Sequence, residues 1–308
     1  MFYIFTEYNY ELSNKMLDYV DGKTDIKVIR TKELCGYSNK LKDILCKIFY
    51  ILKIPCKVNF SNELKKIFCE IKVNDVIVIW GSLSPVLLFH FAHFVKADKK
   101  IVWLWNSLFT YNTSIFRIQK LKKYYEICTF DSGDAKKYNL KERNQVCYQQ
   151  ILQNRNIKIP NDGIYFVGQD KGRYDILEKI YLDLNEKYKC DFRIIEDSTS
   201  LKNHKVNLFG KKVSFEENIN NIGNSRCIVE IMQEGQSGIT LRALEALISK
   251  RKLLTTNIEL LTAPFYCKNN IFIINKDENF DDFMSSEFND FFNFEDYLIQ
   301  KWILNLKS

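Results

Sequence analysis

The chain has 308 residues, 46% hydrophobic and 27% charged, with 45 Lys and Arg against 38 Asp and Glu for a net charge of +7. Such a length accommodates two ordinary domains, and the composition is that of a globular chain, not of a low-complexity or collagen-like one. No run of about 18 or more uncharged apolar residues occurs, so a spanning helix is not expected.

In chain order, the opening MFYIFTEYNYEL lacks the ordered basic, apolar and cleavage regions of a secretory leader. Its Phe2–Phe5 run reads as a first strand, and the alternating Ile26–Arg30 as a second. Residues 41–58 form a basic amphipathic pattern limited by Pro55, with Lys42 and Lys47 among its cations. It suits either a helix covering a sheet or one lying on a membrane surface. The run DVIVIW, Asp75 to Trp80, is continuous enough to be buried on both faces. It leads into Gly81-Ser82 and a helix that begins with Ser84 as cap and Pro85 in first position. Lys100–Trp105 repeats the theme and ends at Asn106. Cys128–Phe130 ends at Asp131-Ser132-Gly133-Asp134. Parallel strands that end in small polar residues line one edge of a sheet, where α/β folds bind ligands. Asp131 and Asp134 suit an Asx-type helix cap as well as a catalytic carboxylate.

From Cys147 to Asp162 the pattern becomes polar and contains Pro160, so the domain boundary is placed at 155/156. A strand restarts at Gly163–Gly168 and meets Gln169-Asp170-Lys171-Gly172-Arg173, with a helix beyond. A strand, a glycine loop carrying two cations and a helix N-terminus make a credible anion site. The spacing is not that of a P-loop. Cys190–Ile195 is the next strand, and Glu216-Glu217-Asn218 reads as an acidic break before a helical run to Ile222. Then follow a short strand from Cys227, a polar break at residues 234–238, a helix through Ile248 and a strand from Leu253, which together make a βαβ unit. Gln236, Ser237, Thr240 and the N–H groups around Gly238 suit a nucleotide sugar, with Glu234 and Glu245 bracketing them and Arg242 one turn before Glu245. The same residues also read as a helix capped by Ser237 with an Arg242–Glu245 pair. A last strand over 270–274 and an amphipathic helix over 294–306 close the chain.

The segment from Glu230 to Leu247, Glu-x-x-x-Glu-Gly-Gln-Ser-Gly-Ile-Thr-Leu-Arg-Ala-Leu-Glu-Ala-Leu, resembles the donor-site motif of bacterial GT-B-like glycosyltransferases of lipopolysaccharide core and capsule synthesis. Trp105-Asn106 and the Thr129–Tyr138 stretch resemble features of the N-terminal domains of the same enzymes. The resemblance implies two Rossmann-like domains facing each other across a cleft, an acceptor-side domain over 1–155 and a donor domain over 156–308, with a last helix returning to the first domain. It implies a donor site of Gly168, Lys171, Gly172, Arg173, Gln236, Ser237, Gly238, Thr240, Arg242 and Glu245. Glu234 would be at the reacting sugar, and Asp131 or Asp134 would be a base if the reaction inverts. The acceptor, a glycan or lipid-linked glycan, would lie near Trp80, Gly81, Ser82 and Asn106. Cations would neutralise the diphosphate, with no metal or other cofactor required.

The nine cysteines lack CxxC spacing and read as reduced thiols of a cytoplasmic protein. Neither they nor His90, His93 and His204 form a metal or thiol-catalysis pattern. The positive charge suits an anionic small molecule, a phospholipid surface or nucleic acid, but no nucleic-acid-binding signature accompanies it, so nucleic acid is not an expected partner. The expected location is cytoplasmic, with peripheral contact at the inner face of the plasma membrane as a further expectation. The competing reading is a non-catalytic scaffold of the same fold in a polysaccharide-assembly complex.

Overall fold

The structure, a computed structural model, describes residues 1–7, 10–23, 25–31, 60–81, 85–108, 115–160, 162–200 and 204–307. It divides into two compact units, Met1–Arg143 with Lys307–Ser308, and Asn144–Leu306. The expected basic helix over 41–58 lies outside the described residues, as do Ser82 and Ser84. Among the described residues no helix is long and apolar enough to cross a membrane.

The first unit alternates strands and helices: β1 (Phe2–Thr6), α1 (Glu11–Val20), β2 (Ile26–Arg30), α2 (Asn62–Glu70), β3 (Val76–Trp80), α3 (Pro85–Phe94), β4 (Lys99–Leu104), α4 (Ile115–Leu121), β5 (Glu126–Thr129), α5 (Ser132–Tyr138) and β6 (Lys141–Glu142). The strands pair in parallel in the order β2-β1-β3-β4-β5-β6. Every residue of β1 and β3 is buried, as their unbroken apolar runs require of a sheet covered on both faces. The sequence reading passed over α1, whose apolar face is only Met16, Leu17 and Val20 with Ser13 buried beside them. Ser61 caps α2 by accepting from Leu64 N at 3.1 Å.

Phe5 and Phe91 pack with ring centroids 4.5 Å apart, and His90 lies 4.5 Å from Phe68 and 4.8 Å from Phe60. Burial among these rings lowers the His90 pKa to about 4. Between that value and the ordinary 6.5 the unfolded chain is the better proton binder. His90 therefore contributes stability that is fully present above pH 6.5 and is lost as pH falls toward 4. His90→Phe should flatten the acid limb of the stability–pH curve between those values, read by urea denaturation at a series of pH. An unchanged limb would show that His90 is solvated.

The second unit comprises β7 (Gly163–Gln169), α6 (Tyr174–Leu184), β8 (Lys189–Ile195), α7 (Phe215–Gly223), β9 (Cys227–Glu230), α8 (Leu241–Ile248), β10 (Lys252–Thr255), β11 (Ile271–Ile273), α9 (Phe280–Ser285) and α10 (Ile299–Leu304). Its strands pair in parallel in the order β11-β10-β9-β7-β8. Each sheet therefore has its own first strand flanked by the second and the third, and the strand order reverses there. Both units are Rossmann-like α/β folds, and the reversal beside β7 marks where such a sheet opens a crevice at its carboxyl edge.

Several boundaries differ from the sequence reading. Residues 144–155, read as the end of the first domain, belong to the second unit. Gln149–Asn156 is a 3-10 helix in which Ile151 and Asn154 have no exposed surface, and Asn154 Nδ2 donates to Ile219 O at 2.9 Å. The polar Gln and Asn content hid this packing. The acidic stretch at 216–217 is no break but the first turn of α7, capped by Ser214, where carboxylates favour the helix dipole. The final segment is a 3-10 turn at Glu295–Tyr297 followed by the short α10, and both belong to the second unit. Cys147 N donates to Tyr297 O at 2.7 Å, Ile299 N to Cys147 O at 2.9 Å, and Trp302 Nε1 to Asn144 O at 2.7 Å. Only the last two residues join the first unit, where Lys99 Nζ donates to Lys307 O at 3.1 Å.

Candidate ligand site at the carboxyl edge of the second sheet

The loop after β7 is built from its own hydrogen bonds. Asp170, 1% exposed, accepts at Oδ1 from Arg173 N and Tyr174 N, both at 3.0 Å. Lys171 N donates to Asp197 Oδ2 at 2.9 Å, and Gly172 N to Thr199 Oγ1 at 2.8 Å. Lys171 and Gly172 have φ of 47° and 74°, so glycine suits the second position and lysine occupies the first at some strain. The backbone donors that the sequence reading offered to a phosphate are thus taken by Asp170, Asp197 and Thr199. What remains for an anion is side-chain charge.

That charge comes from three residues. The Lys171 ammonium makes no hydrogen bond or ion pair among the described residues; burial first, then the Arg173 charge, lowers its pKa. Arg173 folds back over the ends of β7 and β9. Its Nε donates to Asp170 O at 3.1 Å, Nη1 to Ile231 O at 3.0 Å, and Nη2 to Gln169 O. These contacts use part of the donor capacity of a guanidinium and include no carboxylate. Burial, and then the neighbouring charge of Arg242, push Arg173 down to about 10. Arg242 reaches across from α8, with Nη2 donating to Val167 O at 3.1 Å and Nη1 2.6 Å from Glu245 Oε2. A Cβ added at Gly168 would meet Arg173 Nη2 at 3.1 Å, so the small residue there gives the guanidinium its room.

Glu245 is not turned to a ligand. It is 2% exposed; Oε1 accepts from Tyr148 Oη at 2.8 Å and from Asn218 Nδ2 at 3.4 Å, while Oε2 holds Arg242. Burial and the Glu245 charge hold the Tyr148 phenol well above its usual range. The helix-pair reading of Arg242 and Glu245 is the observed contact, whereas the cap of α8 is Thr240 rather than Ser237. Thr240 accepts from Ala243 N at 3.2 Å and donates to Glu230. Glu230, 3% exposed at the end of β9, also accepts from Thr255 Oγ1, and burial raises its pKa despite these hydroxyls and the nearby Arg242 and Arg173. Sequence reasoning passed over Glu230 as a site residue. Its signal was one carboxylate closing an otherwise apolar strand.

The loop between β9 and α8 turns at Gly235 and Gly238, with φ of 72° and 79°. Gly238 N donates to Glu259 Oε2 at 2.8 Å and Gly238 O accepts from Asn257 Nδ2 at 2.8 Å. Its N–H is therefore occupied by a carboxylate, contrary to its expected place in an anion cradle. Glu234 is exposed and makes no hydrogen bond or ion pair among the described residues, while Gln236 and Ser237 are half-buried on the same loop. The structure thus gathers Gly168, Lys171, Gly172, Arg173, Thr240 and Arg242 at the strand ends. It places Glu234, Gln236 and Ser237 on the loop above them and Glu245 beneath.

In the first unit, Trp80 is fully buried, its Nε1 donating to Ser13 Oγ at 2.9 Å and its ring 5.5 Å from that of Trp105. It is core, not a stacking surface for an acceptor. Gly81 is buried with φ of 80° and donates to Trp103 O at 3.0 Å, and Asn106 is half-buried in the turn after β4. Asp131 accepts from Asp134 N at 2.9 Å as the cap of α5, and Asp134 Oδ2 accepts from Leu108 N at 2.6 Å. Burial raises the Asp134 pKa. Each carboxylate thus accepts from a backbone N–H through one oxygen, Asp131 as a helix cap and Asp134 as an anchor for the turn at Leu108.

No protein-family model matches the chain, and no curated protein matches it. A solved structure of the glycosylation associate protein (Gap123) complex from Streptococcus agalactiae aligns with 70% of this chain and 50% of that one, at 13% identity and a TM-score of 0.39. This chain thus spans about half the length of that neighbour. Similarity of that degree carries no functional argument.

Proposed function

We propose that the protein is a glycosyltransferase whose second unit takes a nucleotide-sugar donor and passes the sugar to a bacterial surface glycan of the lipopolysaccharide-core or capsule class. The observation that carries the reading is the trio Lys171, Arg173 and Arg242 at the carboxyl edge of β7 and β9, the switch point of the sheet. Lys171 and Arg173 have no carboxylate ion pair among the described residues, and Arg173 is held against both burial and a like charge. A diphosphate at this edge would offset that unfavourable placement.

In this reading Lys171 supplies a mobile ammonium, while Arg173 and Arg242 are fixed guanidinium groups. The three neutralise the leaving diphosphate. Glu234 and the polar groups of the 234–238 loop meet the sugar. The acceptor, a glycan or lipid-linked glycan, is taken by the first unit near Asn106.

Thermal stabilisation of the purified chain by a panel of nucleotides and nucleotide sugars tests the reading, because a ligand that binds only the folded state raises Tm. One class of nucleoside diphosphate should give a selective shift that a chelator leaves unchanged. Lys171→Met keeps the aliphatic stem and the backbone conformation, and should weaken that ligand by about 10- to 100-fold with unchanged Tm in its absence. No shift with any compound at saturating concentration would sink the donor site and favour a non-catalytic scaffold.

A further inference from the structure

Parallel strands place every segment that enters a strand on one edge of the sheet, opposite the edge where ligands bind. In the first unit that entry edge carries Val73 in the turn before β3, Phe94 at the end of α3 before β4, and Tyr124 in the turn before β5. Their side chains are 47%, 43% and 44% exposed, although each is large and apolar. Tyr124 and Phe94 are linked through His93, whose ring is 4.8 Å from the first and 6.3 Å from the second. The turn of Val73 is joined to the one before β4 by its backbone, Asp98 N donating to Val73 O at 3.1 Å.

Exposed lysines stand beside each of them in the chain: Lys72 next to Val73, Lys96 after Phe94, and Lys123 next to Tyr124. None of the three is in an ion pair among the described residues. The nearby acids are largely committed elsewhere. Asp75 accepts from the N-terminal ammonium at 2.9 Å and from Lys72 N at 2.8 Å, and Glu126 lies 3.5 Å from Arg143. Among the described residues, Asp98 and, in the turn before β2, Asp25 are exposed acids at this edge, and Glu70 pairs with Lys27 at 3.1 Å.

We propose that this edge of the first unit is a docking surface for an anionic phospholipid bilayer. Separate apolar side chains, each flanked by a lysine, match an interface where rings sit at head-group depth and ammonium groups meet phosphates. The excess of cations over acids supplies the charge complementarity. The inference is independent of the nucleotide reading, because its probe is a lipid vesicle alone.

The test is cosedimentation of the full chain with vesicles of phosphatidylcholine and with mixed vesicles of phosphatidylcholine and phosphatidylglycerol. The chain should pellet with the mixed vesicles only, and less so at high salt. Phe94→Ser/Tyr124→Ser and Lys96→Glu/Lys123→Glu should each reduce the bound fraction constant by at least about tenfold, with unchanged Tm. Three results overturn the proposal. One is no pelleting with the mixed vesicles. A second is pelleting that both variants leave intact. The third is a lipid-free dimer, seen by light scattering and abolished by the variants, with no vesicle binding.

Discussion

Glu245→Ala should lower the unfolding free energy of the protein by about 3–5 kcal/mol, the usual consequence of removing one partner from a buried ion pair. Its carboxylate is 2% exposed and joins three elements, taking Arg242 of its own helix, Tyr148 from the segment before the 3-10 helix and Asn218 of α7. In alanine's place a cavity would leave the Tyr148 hydroxyl without its acceptor and Arg242 without its counter-charge. Glu245→Gln keeps an acceptor for Tyr148 and Asn218 but not the charge, so it should cost less than half as much. Urea denaturation of both variants checks this order. Equal and small losses would mean that the carboxylate is hydrated, and would return Glu245 to the ligand-facing role read from the sequence. The Gln variant is also the proper one for ligand work, since a loss of nucleotide binding in the Ala variant would be inseparable from loss of structure.

Arg251→Met should be comparably damaging. The Arg251 side chain is wholly buried, and its guanidinium donates to the carbonyls of Gly223, Ser249, Asn154 and Ile157, with distances from 2.7 Å (Gly223) to 3.3 Å (Asn154). It makes no ion pair among the described residues, and burial lowers its pKa to about 10. Methionine fills most of the volume but leaves these carbonyls unsatisfied, and a buried unsatisfied group costs about 1–3 kcal/mol. Relief from desolvating the charge offsets part of the sum, so a loss of at least about 3 kcal/mol is expected. Arg251→Lys should recover little, because an ammonium cannot reach carbonyls on three segments at once. A loss below about 1 kcal/mol for Arg251→Met, by the same denaturation measurement, would refute the account.

Both residues bear on how much the sequence discloses. Lys250-Arg251-Lys252 looks like a solvated basic turn, yet Arg251 and Lys252 are buried. Lys252 Nζ donates to Ser286 Oγ at 2.8 Å, and burial brings its pKa down to about 8. Local composition cannot disclose this, because the acceptors come from residues 223, 154 and 157 in one case and 286 in the other, distant in the chain. The 144–156 segment differs from its sequence reading for the same reason: the Asn154 amide is buried and donates to Ile219 O of α7, 65 residues away in the chain.

Hydrophobic pattern by itself determined the class of fold. Runs such as VIVIW and CIVE are short, β-branched and bounded by polar turns, which suits buried parallel strands, and their alternation with helical periods points to doubly wound sheets. The same pattern placed the loops after β7 and β9 at a carboxyl edge, because strand polarity is fixed by chain direction. Which groups in those loops face outward was decided only by the tertiary structure. A backbone N–H or a carboxylate is available to a ligand only if no neighbour has bound it first. Asp197, Thr199 and Glu259 take the loop N–H groups, and Tyr148 and Asn218 take Glu245. Lys171 and Arg173 are left at the edge without a carboxylate pair among the described residues, while Arg242 beside them is held by Glu245, since hydrogen-bond capacity is finite and its partners are assigned in space, not along the chain.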